Sequence, residues 1–236
     1  MTGVQALAHS TVAPMTANAP PIIGVHWTGD DFAVIEKPAG LLSVPGRGDG
    51  KSVCVESLAR SAFPHAAGPI IVHRLDMETS GLMVLGLDRE AHRALSRQFI
   101  HRKVGKSYVA LLDGIVEGDQ GAIELPLIVD WPNRPRQIVD STRGKPSRTL
   151  WRVIDRDLAV GITRVEFRPM TGRTHQLRVH AATPRDLGGL GCPILGDSLY
   201  GDRTRASRLM LHANHLAFWQ PSRASAWLKF TSDPPF

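Results

Sequence analysis

Residues 71–88, IVHRLDMETSGLMVLGLD, set ionisable side chains directly against a run from Leu82 to Leu87 that is apolar enough to be buried. Ile71 and Val72 hem in the charges from the other side. Burying a carboxylate costs several kcal/mol unless cations and donors surround it, so the fold must supply them around Asp76. In an extended 72–76 segment, Arg74 and Asp76 project from one face and His73 and Leu75 from the other. The tetrad alone leaves two readings open: a structural ion pair, or a functional carboxylate whose burial serves a reaction. Glu78 offers Asp76 a carboxylate partner of the glycosidase kind, but neighbours on one strand make poor opposite flanks for a sugar ring.

With 236 residues the chain can hold one large domain or two small lobes; a chain of this size buries roughly 70–75 % of its unfolded surface. Apolar residues at 42 % and charged residues at 21 % are ordinary for a globular protein and too apolar for a disordered one. The 28 Lys and Arg against 22 Asp and Glu leave a charge of +6, and the pI of about 9.8 favours an anionic partner such as nucleic acid. Cys54 and Cys192 form no CxxC pair, which suggests neither a thiolate metal site nor a disulfide framework and fits a reducing compartment, hence the cytoplasm. Residues 1–21 have neither the basic start and apolar centre of a secretory signal nor the arginines of a transit peptide; they read as a loose tail ahead of a single domain over 22–236. No apolar stretch is long enough to span a membrane as a helix.

The domain opens with a hairpin, IIGVHW and FAVIE around Gly29-Asp30-Asp31, closing at Lys37-Pro38-Ala39-Gly40. Ser52 is a candidate cap for a helix running to Phe63. Asp88 can cap DREAHRALSRQF, which puts Ala91, Ala94, Leu95 and Phe99 on one face and Arg89, Arg93 and Arg97 on the other. KSYVALLDG (106–114) alternates as a strand, with Tyr108, Ala110 and Leu112 on one side. Further strands are expected at 147–155, 162–168, 212–219 and 226–230. A short helix capped by Thr174 and ended by Pro184 is expected in MTGRTHQLRVHAATP, with a strand as the alternative. Strands outnumber helices and do not alternate strictly with them, which predicts an α+β domain on a largely antiparallel, mixed central sheet flanked by helices and loops.

Segment 131–152 carries Arg134, Arg136, Arg143, Lys145, Arg148 and Arg152 against one acid, Asp140, between Trp131 and Trp151. Such a strip can grip phosphates and stack on bases, or it can be a solvated loop; the basic helix face and the arginines of 164–178 favour RNA or DNA. Gly50-Lys51-Ser52 imitates the end of a nucleotide-binding loop, but Pro45 stands where that motif needs glycine, and it has no N–H to offer a phosphate. Ser80 lacks the glycine of a nucleophile elbow two positions earlier. His212 and His215 have no metal-site companions and read as structural histidines, so no metal is implied.

Taken together, EKPAGLLSVPG (36–46), HRLDMETSGLMVL (73–85), KSYVALLDG (106–114), TGRTHQLRVH (171–180) and PILGDSLYG (193–201) resemble, in order and spacing, the RluA-type pseudouridine synthases. LPLIVDWPNRPRQ and RGKPSRT look closest to the branch whose dual-specificity members modify a tRNA anticodon stem-loop and a hairpin of large-subunit (23S) rRNA. The resemblance implies the pseudouridine synthase fold and the cofactor-free isomerisation of uridine in such an RNA. It makes Asp76 the essential carboxylate, Tyr108 the ring that packs on the base and assists proton removal from C5, and Arg178 the arginine that pairs with the carboxylate. Arg74 and Arg173 are assigned to phosphate or to the loop, and Arg134, Arg136 and Arg143 to the RNA stem. The target uridine is expected to be flipped out of a hairpin loop. Many relatives carry a separate N-terminal RNA-binding domain, and none is expected here; a monomer is expected. AATPRDLGGLGC (181–192) is longer than the usual link and is expected either to reshape the cavity rim or to extend a surface loop. The competing expectations are a non-catalytic RNA-binding protein and a nucleotide hydrolase using Gly50 to Ser52.

Overall fold

The computed structural model describes residues 21–46, 52–222 and 226–236. Gly50 and Lys51 of the nucleotide-loop alternative, and the proposed tail up to residue 20, lie outside them. In chain order the first half comprises β1 (Gly24–Thr28), β2 (Phe32–Lys37), α1 (Val55–Ala62), β3 (Ser80–Gly86), α2 (Arg89–Ile100) and β4 (Gly105–Asp113). The second comprises β5 (Gln120–Glu124), β6 (Leu127–Val129), β7 (Gln137–Val139), β8 (Arg148–Asp157), β9 (Ile162–Pro169), α3 (Gln176–Ala182), β10 (Leu211–Trp219) and β11 (Trp227–Thr231). Nine strands form one sheet in the order β1-β2-β3-β10-β4-β9-β8-β5, with β11 also on β10, and β6 and β7 form a separate hairpin. All pairings are antiparallel except β3 with β10. The result is the α+β, mixed but largely antiparallel sheet that the element pattern implies.

The uniform apolar run of β3 has a direct cause. All seven of its residues are buried because both faces of the strand are covered. Leu82 and Val84 join Phe32, Val34, Leu216 and Phe218 around Leu95 of α2. Met83 and Leu85 join Ala33 and Ile35 around Val55 and Ala59 of α1. Asp88 starts α2 by accepting the Glu90 and Ala91 N–H groups, both at 2.8 Å, which satisfies donors that a helix start leaves open. A third core gathers Ala110, Leu112, Val165 and Phe167 against Leu177 and Ala181 of α3.

The two halves of the sheet meet where β3 runs parallel to β10, with His212 beside Ser80 and Ala213 beside Gly81. Gly81 has φ +118, and a Cβ there would lie 2.4 Å from the Ala213 carbonyl oxygen. The glycine of the Thr-Ser-Gly step is thus what lets the backbones close. Tyr108 packs against the cores on both sides of this seam, and the loop of residues 72–79 crosses its mouth.

Several local expectations shift. Residues 72–76 are not an extended strand but a bend at 72–73 followed by irregular chain, with a turn at 77–78 before β3, so Arg74 and Asp76 do not share a strand face. The first helix is capped by Cys54 rather than Ser52, through the Cys54 N–H donating to Ser57 Oγ at 3.0 Å. α3 begins after His175, which holds φ 53, rather than after Thr174. Segment 181–192 turns back so that Leu190 and Cys192 enter the third core, and none of its residues lines the main cavity.

Candidate active site

Asp76 sits on a loop whose backbone is clasped on both sides by residues of the 36–46 segment. On the residue before it, Ser43 Oγ donates to the Leu75 carbonyl at 2.8 Å and accepts the Leu75 N–H at 3.1 Å. On the residue after it, the fully buried Lys37 donates to the Met77 carbonyl at 2.9 Å, while also holding Leu41 O at 2.7 Å and Pro38 O at 2.9 Å. Gly40 N–H reaches the same Met77 carbonyl at 2.8 Å. Burial pulls the Lys37 ammonium down to about 7, with the Asp76 charge opposing and Arg208 assisting. Its three carbonyl acceptors occupy all three protons of the charged form. The loop is closed from below by His73, which stacks on Phe99 at 4.3 Å between ring centroids and accepts the Val84 N–H at 3.1 Å. Burial, followed by the nearby Lys106 charge, pushes this imidazole down to about 3, so it is neutral.

A cavity of about 670 Å³ opens beside this loop, lined by Asp76, Tyr108 and Arg178 together with Arg74, Lys106 and Arg173. The volume lies within the usual range of small-molecule sites. Burial first and the Asp76 charge second raise the Tyr108 hydroxyl above its ordinary pKa, so it stays protonated. The Asp76 carboxylate also acts through space on His175 and Arg178. Among the described residues no group of three or more His, Cys, Asp and Glu side chains is placed to hold a metal ion.

Arg178 is where the geometry departs from the expected pairing. Its guanidinium, 2 % exposed, makes two bonds to Asp197, at 2.8 and 2.6 Å, and a third to Glu78 at 2.9 Å. Its ion pairs within 4 Å are with these two carboxylates and not with Asp76. The physical reason is that Asp197 is wholly buried and needs donors; besides Arg178 it takes the Leu199 and Tyr200 N–H groups at 2.9 and 3.0 Å. Arg178 therefore ties the 193–201 segment to the loop through Glu78, which also accepts Ser198 Oγ, and acts on Asp76 by its field. Tyr200 completes this wall, its hydroxyl accepting the Gln137 N–H at 2.7 Å and meeting His175 Nδ1 at 2.8 Å. Asp197, Lys37, Ser43 and Tyr200 were not singled out by sequence reasoning, although they stand in the quoted EKPAGLLSVPG and PILGDSLYG segments.

The remaining cations divide. Arg74 is exposed at the cavity edge, and Arg173 bonds the Pro146 carbonyl at 3.2 Å, joining the cavity to the basic strip. Arg134, Arg136 and Arg143 lie outside the cavity on the exposed β6–β7 hairpin and the turn that follows. Arg134 lies over the Trp131 ring at 4.5 Å, Arg136 over Tyr200 at 5.4 Å, and Arg143 is bound to Asp140 at 2.8 Å. Ser80 and His212 form a buried pair at 2.8 Å behind the loop.

Comparison with known proteins gives a consistent result. A family model described as RNA pseudouridylate synthase matches residues 31–183. The chain is similar to a dual-specificity RNA pseudouridine synthase RluA of Yersinia pestis, 47 % identical over 191 residues that cover 80 % of this chain and 88 % of that one. Against the protein of the same description from Pasteurella multocida, identity is 43 % over 219 residues, covering 92 % and 95 %. Among solved structures, human RNA pseudouridylate synthase domain containing 1 superposes with a TM-score of 0.75 at 28 % identity, over 94 % of this chain and 87 % of that one.

Proposed function

The chain belongs to the RNA pseudouridylate synthase family, and on the premise that it is an RNA pseudouridine synthase we propose that it isomerises a uridine in a tRNA anticodon stem-loop, a 23S rRNA hairpin, or both, using Asp76 as its catalytic carboxylate. The observation that carries this reading is the convergence of Asp76, Tyr108 and Arg178 on one cavity large enough to admit a nucleoside. A duplex base cannot enter such a cavity, so the uridine is flipped in from a loop, where the pairing and stacking lost are small.

The reaction breaks the bond between N1 and C1′, turns the uracil, and joins C5 to C1′; the C5 proton leaves and N1 gains one, so atoms and electrons balance without redox. Asp76 acts at the sugar or as a base, held in place through Leu75 and Met77. Tyr108 offers a ring face to the uracil and a protonated hydroxyl that relays the C5 proton. Arg178, tied to Asp197 and Glu78, adds positive charge to the cavity wall. Outside the cavity, Arg134, Arg136 and Arg143 hold the stem, with Arg74 and Arg173 at the edge.

The test is a single-turnover assay on an unmodified hairpin RNA without ATP or metal. Wild type forms pseudouridine, and Asp76→Asn binds the RNA with nearly unchanged affinity and forms none. Normal product formation by Asp76→Asn would overturn the assignment. Pseudouridine maps of tRNA and 23S rRNA from cells with and without the gene identify the target.

A further inference from the structure

Lys106 is a charge that neither the fold nor the reaction above uses. It stands on β4 two residues before Tyr108, so both side chains leave the same face of the strand, and both line the cavity. Among the described residues its Nζ enters no ion pair. Burial is the sole influence on its protonation, and it acts against the charge. By contrast, Arg148, Arg152, Arg156, Arg168, Arg185 and Arg205 each meet a carboxylate. An unpaired, largely desolvated ammonium costs stability, and it faces a cavity whose substrate is a polyanion.

Its position decides which anion it meets. Lys106 forms no ion pair with Asp76 within 4 Å. A Cβ built on Gly172 would lie 3.6 Å from the Lys106 Nζ, and Gly172 and Thr174 are exposed at the cavity edge. A nucleotide entering base-first keeps its backbone at that edge, where a full negative charge matches an ammonium better than the neutral uracil carbonyls do.

We propose that Lys106 is the phosphate clamp of the flipped nucleotide, pairing with one of the two phosphodiesters that flank the target uridine. This rests on the uridine-isomerising reading of the same cavity.

The experiment follows single-turnover pseudouridine formation against enzyme concentration, giving a half-saturation value and a maximal rate. Three hairpins are compared: one unmodified, one with a neutral methylphosphonate 5′ of the target uridine, one with it 3′. With wild type, one neutral linkage raises half-saturation about tenfold, the scale of a lost charged hydrogen bond. Lys106→Gln shows the same rise on unmodified RNA and no further rise with that linkage, while Lys106→Arg restores binding; urea midpoints no lower than that of wild type show that the variants are folded. The proposal is overturned if Lys106→Gln keeps the full methylphosphonate penalty, if it binds as wild type does, or if only its maximal rate falls. Absence of product from wild type on every hairpin would instead overturn the underlying reading.

Discussion

The loop carrying Asp76 and the segment carrying Arg134, Arg136 and Arg143 are both short, irregular and charged, yet they are held in opposite ways. Around Asp76 the backbone is fixed by buried side chains from far along the chain: Ser43 on Leu75 and Lys37 on Met77, 32 and 40 residues away. The basic segment is fixed mainly by a three-residue strand pair and local turns, such as Asp140 accepting the Thr142 and Arg143 N–H groups at 2.9 and 2.8 Å, with a long-range bond from the Gln137 N–H to the Tyr200 hydroxyl, and its cationic ends stay in water. The first arrangement pins the backbone on both sides of one side chain; the second presents a field of charge. Chemistry on one bond needs the former, whereas a phosphate backbone is satisfied by the latter.

That contrast breaks most visibly at the clasp. Ser43→Ala combined with Lys37→Met leaves Asp76 in the sequence but releases the carbonyls that aim it. The maximal rate should fall by about 10²-fold, the scale of an ångström of misplacement, while RNA affinity changes little. Concentration-dependent single-turnover rates separate the two quantities, with the urea midpoint reporting the cost to the fold. An affinity loss with an intact maximal rate would show that the clasp shapes the RNA surface and not the catalytic loop.

The same contrast explains what was legible in the sequence. The opening hairpin, the Asp88 cap and the buried run after Thr79 are written in neighbouring residues, so periodicity and capping rules reach them. The conformation of 72–76 was not, because its geometry is set by Ser43 and Lys37 rather than by its own residues. Arg178 was found from its motif, but its bonds go to Asp197 and Glu78, since the wholly buried Asp197 needs a cation beside it. β5, β6 and β7 escaped because strands of three to five residues carry little alternation. Lys106 was quoted within a strand, yet nothing local announces that its cation goes unpaired.

On the other side of the comparison, replacing Arg134, Arg136 and Arg143 by Gln should weaken binding roughly tenfold near physiological salt and lower the slope of log affinity against log salt by about 2 to 3, with each phosphate contact contributing about 0.7 to 0.9. The maximal rate at saturating RNA should stay within about twofold. Affinity titrations from low to high salt provide the check, and an unchanged slope would remove this segment from the RNA interface.

The smallest effect sharpens the contrast within the segment itself. Arg134 lies on an aromatic ring and keeps its charge available, whereas Arg143 is held by Asp140 through both Nε and an Nη, at 3.0 and 2.8 Å. Asp140→Asn keeps a side-chain oxygen for the Thr142 and Arg143 N–H groups, so the turn survives, but it removes the one acid of the strip. If charge density alone is what this region contributes, the variant should bind RNA about two- to fourfold more tightly at low salt, with the gain fading as salt screens it. A loss of affinity would mean that Asp140 positions Arg143 for one particular phosphate, and the segment would then share the fixed geometry of the catalytic loop.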